Sequence, residues 1–133
     1  MRLRVRVPTG TVLEAEARKV VAEALEGSIG LLPRHVDYVA VLVPGILLWE
    51  TPAGEEGLLA VDHGLLVKRA EQVDVAVREA IPGEELASLR RTVRERFVAL
   101  DERERASRAA LAQLEARFIR RFLEQTEGLR GRR

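Results

Sequence analysis

Histidine is the one side chain whose unperturbed charge changes between pH 5 and 8, and this 133-residue chain has two. His35 stands two positions before Asp37. On an extended strand both side chains point the same way, the arrangement in which a carboxylate orients an imidazole base. His63 follows Asp62 directly. Neither pair has a third partner in sight. Cysteine is absent, and no serine sits in the sharp glycine-flanked context of a hydrolase nucleophile. His35, Asp37, Asp62 and His63 also lack the local spacing of a metal site. The expectation is therefore no catalytic residue, no metal and no cofactor, with His35 serving as a partner contact or a structural residue.

The elements that must carry these residues change character along the chain. All five prolines and eight of the ten glycines precede residue 84. Turn residues at Pro8, Gly27, Pro33, Pro44, Pro52, Gly64 and Pro82 divide this part into short pieces, as in an all-β sandwich or barrel. Leu3, Val5 and Val7 alternate with Arg2, Arg4 and Arg6, and Val73, Val75 and Val77 repeat that period of two. Residues 58–61 and 65–67 are apolar runs around Asp62, His63 and Gly64, and read as two strands of a hairpin. Residues 12–25 are divided: Ala, Glu and Leu favour helix, while Val20 and Val21 favour strand, so both remain open. Trp49 and Tyr38 are expected in the core or at its rim.

After Gly83 the period lengthens. Leu86, Leu89, Val93, Phe97 and Leu100 are spaced as one face of an amphipathic helix, and Leu111, Leu114, Phe118 and Phe122 repeat the spacing. Residues 101–105 between them are wholly charged and offer a place for a hairpin to turn. No Gly or Pro interrupts residues 84–127, so one long helix fits equally well. Gly128 and Gly131 are expected to end the pattern. The fold class is thus β + α: an antiparallel β-sandwich over residues 1–83, then a helical hairpin or long helix over 84–133.

Charge divides at the same place. Residues 1–83 carry 9 Lys/Arg against 12 Asp/Glu, a balance of −3, and residues 84–133 carry 13 against 9, a balance of +4. The absence of cysteine suits a reducing compartment. No apolar run approaches the roughly 20 residues of a membrane span, and no signal peptide opens the chain. A cytoplasmic protein is expected, with any membrane association made through partners.

Two stretches carry a family likeness. Gly27–Ser28–Ile29–Gly30–Leu31–Leu32–Pro33–Arg34–His35, followed by Val43–Pro44–Gly45–Ile46–Leu47, resembles the G-x-x-G-x-x-P-x-H … P-G-x-L signature of the epsilon subunit of F-type ATP synthases. Val61–Asp62–His63–Gly64–Leu65–Leu66–Val67 resembles the same family's x-x-G-G-x-L-x-V segment. The resemblance covers nearly the whole chain. It implies a non-catalytic rotor subunit on the cytoplasmic face of the bacterial inner membrane. Its sandwich is expected to bind the gamma subunit and the ring of c subunits. Ser28, Ile29, Leu31, Arg34 and His35 are the implied contacts. The C-terminal helices are expected to restrain ATP hydrolysis, with Arg90, Arg94, Arg117 and Arg121 meeting the catalytic head.

Departures from the family pattern qualify this. Ser28 stands where a carboxylate is usual, and Val36–Asp37 replaces Ala-Pro after the histidine. The ATP-binding Asp-x-x-Arg-Ala motif of some relatives is broken, with Ala87 at its Asp and Arg91 at its Ala around Arg90. Nucleotide binding is therefore not expected. The departures suggest a divergent branch such as the sodium-type ATPases. The rival reading is an unrelated β-plus-helix adaptor that binds nucleic acid through its basic helices. Glu85, Glu95, Glu115 and Glu124 interrupt the arginines, however, and leave no continuous basic stripe.

Overall fold

The computed structural model describes residues 1–130, with side chains to Glu124. Gly131, expected to help end the helical pattern, and the last residues of the 84–133 segment lie outside the described residues. The chain divides into two compact units, Met1–Val98 and the residues from Ala99 on.

The first unit is a β-sandwich with a short helix. Ten strands run in order: β1 (Arg2–Val7), β2 (Gly10–Glu16), β3 (Lys19–Ala24), β4 (Gly27–Leu31), β5 (Tyr38–Leu42), β6 (Gly45–Glu50), β7 (Glu56–Val61), β8 (Gly64–Arg69), β9 (Gln72–Val77) and β10 (Ala80–Pro82). One layer is ordered β10-β7-β6-β3-β4 and the other β5-β8-β9-β1-β2. A single bridge, Ala24 to Leu42, joins β3 to β5 between the layers. Every pairing is antiparallel except that of β1 with β9.

The alternation read from the sequence is what closes the layers. Leu3 and Val5 of β1 and Val73, Val75 and Val77 of β9 point inward to meet Val20, Leu31, Leu42, Leu47, Leu59 and Leu66. Trp49 and Tyr38 sit partly buried against this core. Residues 12–25, open between helix and strand, become β2 and β3. Lys19, Val20 and Val21 pair with Glu50, Trp49 and Leu48, and residues 20–24 pair with 27–31. Two ladders and a buried face outweigh the modest helix preference of Ala and Glu.

The expected hairpin of residues 58–61 and 65–67 is corrected. Both are strands, but β7 pairs with β6 and β10 while β8 pairs with β5 and β9. The two residues between them carry the chain from one layer to the other. Asp62 is buried there and accepts hydrogen bonds from the His63 backbone N–H (2.8 Å) and from Arg78 Nε (2.8 Å). Gly64 then starts β8 so close to β9 that an added Cβ would lie 2.0 Å from the Ala76 carbonyl oxygen. Any side chain at this corner would force the strands apart.

Helix α1 (Leu86–Thr92) continues into a π-helical stretch, Val93–Val98. Leu89 and Phe97 bury themselves against Ala60, with Ile46, Leu58, Ile81 and Val93 around them. This second core lies on the outer face of the β7-β6 pair, so β7 is covered on both sides. Leu86 stays 43% exposed, so the middle of the predicted stripe does the packing.

The second unit is one helix, α2 (Ala99–Arg130). The charged run 101–105 is helical, with Asp101 paired to Arg105 one turn on (3.2 Å), so α2 does not turn back there. The helix also runs through Gly128.

Candidate functional site: a docking loop and an apolar strand face

Residues 32–37 connect β4 to β5 across the end of the sandwich. The loop closes on itself through the His35 N–H, which donates to the Leu32 carbonyl (3.0 Å). Leu32, Arg34, His35 and Val36 are all exposed, Val36 by 73%. The His35 ring lies edge-on to Tyr38, with centroids 5.7 Å apart, and its Nδ1 lies 2.7 Å from the Val36 carbonyl. Asp37 turns elsewhere: its Oδ1 accepts from the Ala70 N–H (2.8 Å). The two residues that resembled a base and its orienting carboxylate are thus engaged with different backbone groups.

The remaining expected contacts lie on β4. Ser28 is exposed, and its hydroxyl donates to Glu23 Oε1 (2.9 Å). Ile29 is half-buried against the core. Leu31 is buried, and its side chain belongs to the sandwich interior. A molecule approaching this edge meets the Leu31 backbone only. Gly27 adopts φ +127°, a conformation that suits glycine, whereas Gly30 has neither positive φ nor a crowding neighbour.

The arginines divide between the units. Arg90 and Arg94 are exposed and line an open groove of about 580 Å³ with Glu23, Ile46, Leu58 and Val93. Glu23 therefore touches both Ser28 and the groove. Arg117 and Arg121 are exposed one turn apart on α2. His63 Nδ1 lies 3.0 Å from Asp62 Oδ1. Asp62 already holds Arg78, which makes that cluster part of the interlayer corner. Among the described residues no three His, Cys, Asp or Glu side chains gather as a metal site. No described helix is long and apolar enough to cross a membrane.

The sequence reading did not single out the outer face of the β5-β8 pair. Val39 and Val41 point outward from β5, opposite Val67 and Leu65 of β8. Their exposures are 64, 51, 36 and 48%, and Leu25, 71% exposed, lies beside them. Following the register onward, Val67 faces Asp74, Asp74 faces Arg4, and Arg4 faces Glu14. That half of the face is self-paired: Arg4 Nε lies 3.3 Å from Asp74, and Arg2 lies 3.4 Å from Glu14. One layer thus offers an apolar half contiguous with the loop and a charged half with its charges already matched. A contiguous exposed apolar patch of this kind marks an interaction surface. The sequence holds only an ambiguous trace of it: at 39–42 and 65–67 apolar residues fall on both faces, as they also would in a strand buried on both sides.

Residues 1–83 match the family described as ATP synthase, delta/epsilon chain, beta-sandwich domain. The chain belongs to this family. It is 36% identical over 127 residues to "ATP synthase epsilon chain 2" of Cereibacter sphaeroides, covering 94% of this chain and 87% of the relative. A relative of the same name from Paraburkholderia xenovorans is 29% identical over 133 residues, covering 98 and 96% of the two chains. Among solved structures, a chain of the Euglena gracilis mitochondrial ATP synthase (OSCP/F1/c-ring, rotational state 1) aligns with TM-score 0.59 and 25% identity. That alignment covers 70% of this chain and 61% of the Euglena chain. Within the delta/epsilon family match, the loop and the apolar strand face both fall inside residues 1–83. The second core around Phe97 and all of α2 lie beyond it.

Proposed function

We propose that the chain is a non-catalytic central-stalk subunit of an F-type ATP synthase. Its sandwich joins the gamma subunit and the c-subunit ring, and its helix restrains hydrolysis. The observation that carries this reading is the apolar strip of Leu25, Val39, Val41, Leu65 and Val67, continuous with the exposed loop 32–37. A sandwich already closed by its own core has no internal use for it, and burying it against a partner removes apolar surface from water. Gamma takes the strip, and the loop, with Arg34 and His35, reaches the ring. Ser28 and Ile29 supply the neighbouring edge. The complex sits at the cytoplasmic face of the inner membrane, held there through these partners.

The helix supplies the regulatory part. Leu111, Leu114, Phe118 and Phe122 lie exposed along α2. An amphipathic helix gains most of its stability from whatever covers that stripe. Arg90, Arg94, Arg117 and Arg121 guide the helical segment towards acidic surfaces of the catalytic head.

The test is binding of the full chain to the gamma subunit encoded with it. Wild type is expected to form a stable complex, while Val41→Asp and Leu65→Asp abolish it without changing the sandwich's circular dichroism. Undiminished binding in both variants removes the apolar strip from the interface. A chain ending at Val98 is expected to assemble into the enzyme and to raise its ATP hydrolysis.

A further inference from the structure

The inner side of loop 32–37 is held by a residue that alternation alone would assign to the core. Lys68 points inward from β8, on the same side as Leu66, and is 1% exposed. An ammonium has three donors and needs all of them satisfied when buried. Lys68 Nζ donates to the carbonyls of Pro33 (3.3 Å), His35 (2.7 Å) and Ala70 (2.6 Å). Two of these belong to the loop and the third to the β8-β9 turn. Asp37 completes the connection by accepting from the N–H of the same Ala70 (2.8 Å). Ala70 takes a left-handed conformation, φ 52°, in which its N–H serves Asp37 and its carbonyl serves Lys68.

We propose that Lys68 and Asp37 are positioning residues that clasp loop 32–37 from within and so present Leu32, Arg34, His35 and Val36 to the partner in one fixed arrangement. The inference rests on the reading of that loop as a docking element. The Pro33 and His35 carbonyls point in to the ammonium while the side chains of Leu32, Arg34, His35 and Val36 are exposed, so this grip is made without using the outer surface. A loop ordered before binding avoids the ordering cost at the moment of association. The sequence places a lysine and an aspartate 31 positions apart, and only the β5-β8 pairing, Tyr38 opposite Lys68, brings them to the same turn.

The test measures affinity of the full-length chain for the gamma subunit and the c-ring, with hydrogen exchange of amides 34–37 in the free chain. Lys68→Met keeps the length of the buried stem and removes the donors; Asp37→Ala removes the acceptor at an exposed site. Each is expected to weaken binding by roughly tenfold and to speed loop exchange, as loss of preorganisation predicts. Asp37→Asn keeps Oδ1 and is expected to stay within about twofold of wild type, a rescue that a purely structural loss would not show. Combining either change with His35→Ala is expected to give less than the product of the separate effects, since a disordered loop presents His35 poorly. Should Lys68→Met fail to fold, Asp37→Ala and its Asn rescue decide alone. Unchanged affinity in both clasp variants, with Leu65→Asp still abolishing binding, overturns the clasp and leaves the docking surface standing. Unchanged affinity in Leu65→Asp and His35→Ala as well overturns both.

Discussion

The sandwich and α2 carry the same kind of apolar side chain with opposite fates. Leu66 of β8 is fully buried, while Phe118 of α2 is 72% exposed. In the first unit every inward row meets another row of the same chain, and even the outer face of β7 is capped by Leu89 and Phe97. In the second unit the stripe Leu111, Leu114 and Phe118 stands in solvent along one helix. The sandwich therefore holds its own free energy of folding, whereas α2 depends on what it meets. A chain with these two properties combines a self-supporting core with an element that responds to its surroundings.

The boundary between self-supporting and dependent structure gives the largest expected effect. A chain ending at Gly83 removes Leu89 and Phe97 and uncovers Ala60, Ile46, Leu58 and Ile81. Two buried apolar side chains of that size are worth about 4 kcal/mol together. A chain ending at Val98 keeps them, and its urea unfolding is expected to match the full chain within about 0.5 kcal/mol. Equal stability of the two truncations would place the second core outside the cooperative unit.

Single substitutions sharpen the same contrast. Leu66→Ala is expected to cost about 3 kcal/mol, the transfer term plus the cavity left behind. Phe118→Ala is expected to change unfolding of the sandwich by less than about 0.5 kcal/mol and to weaken only assembly with the partners that cover α2. If Phe118→Ala destabilised the free chain as much as Leu66→Ala, the helix stripe would already be covered within the monomer.

These contrasts also show which parts of the molecule a sequence discloses. Alternation at Leu3, Val5, Val73 and Val75 is a one-strand property, and it was legible because each strand has one wet face. β7 was harder: Leu59, Ala60 and Val61 are all buried, since the sandwich covers one face and Phe97 helps cover the other. Its expected hairpin with β8 failed because pairing is a choice among distant partners. The buried Asp62, with Arg78 and the His63 N–H, makes the corner that sends the chain to the other layer. The loop was legible in part: the motif read as a loop over residues 27–35 is strand β4 as far as Leu31, and only the part around Pro33 connects the strands. The apolar face beside it was not, because an outward Val39 or Val41 looks in sequence like a strand buried on both sides. Lys68 was invisible for the opposite reason: a lysine in an alternating strand reads as the wet face until its three carbonyl partners are known.

The corner supplies an intermediate prediction. Asp62→Ala removes the acceptor of the His63 N–H and of one Arg78 Nε bond from a buried position, and is expected to cost about 2 kcal/mol. Asp62→Asn keeps one acceptor oxygen and is expected to recover part of that loss. A neutral Asp62→Ala would mean that water replaces the carboxylate freely, which its 2% exposure opposes.

The smallest effect compares ion pairs of the two units. Arg18, next to Lys19 at the start of β3, bonds Glu50 at the end of β6, and in α2 Asp101 pairs with Arg105. The Arg18 hydrogen bond holds the Glu50 carboxyl below its ordinary value, and Glu50 in turn raises that of Arg18. Because the folded-state value of Glu50 is depressed, its contribution is present above the unfolded carboxylate range and disappears as pH falls through the folded value. Glu50→Gln is therefore expected to lower the sandwich's unfolding midpoint slightly at pH 7, and the difference from wild type is expected to close as pH falls below the ordinary carboxylate range. Added salt is expected to shrink it, since both groups face water. Asp101→Asn is expected to leave that midpoint unchanged at every pH, because the pair stabilises one turn of α2 and nothing in the sandwich's unfolding reports on it. A pH-dependent shift from Asp101→Asn would mean that the helix and the sandwich unfold together, and the division between a self-supporting and a dependent unit would fail.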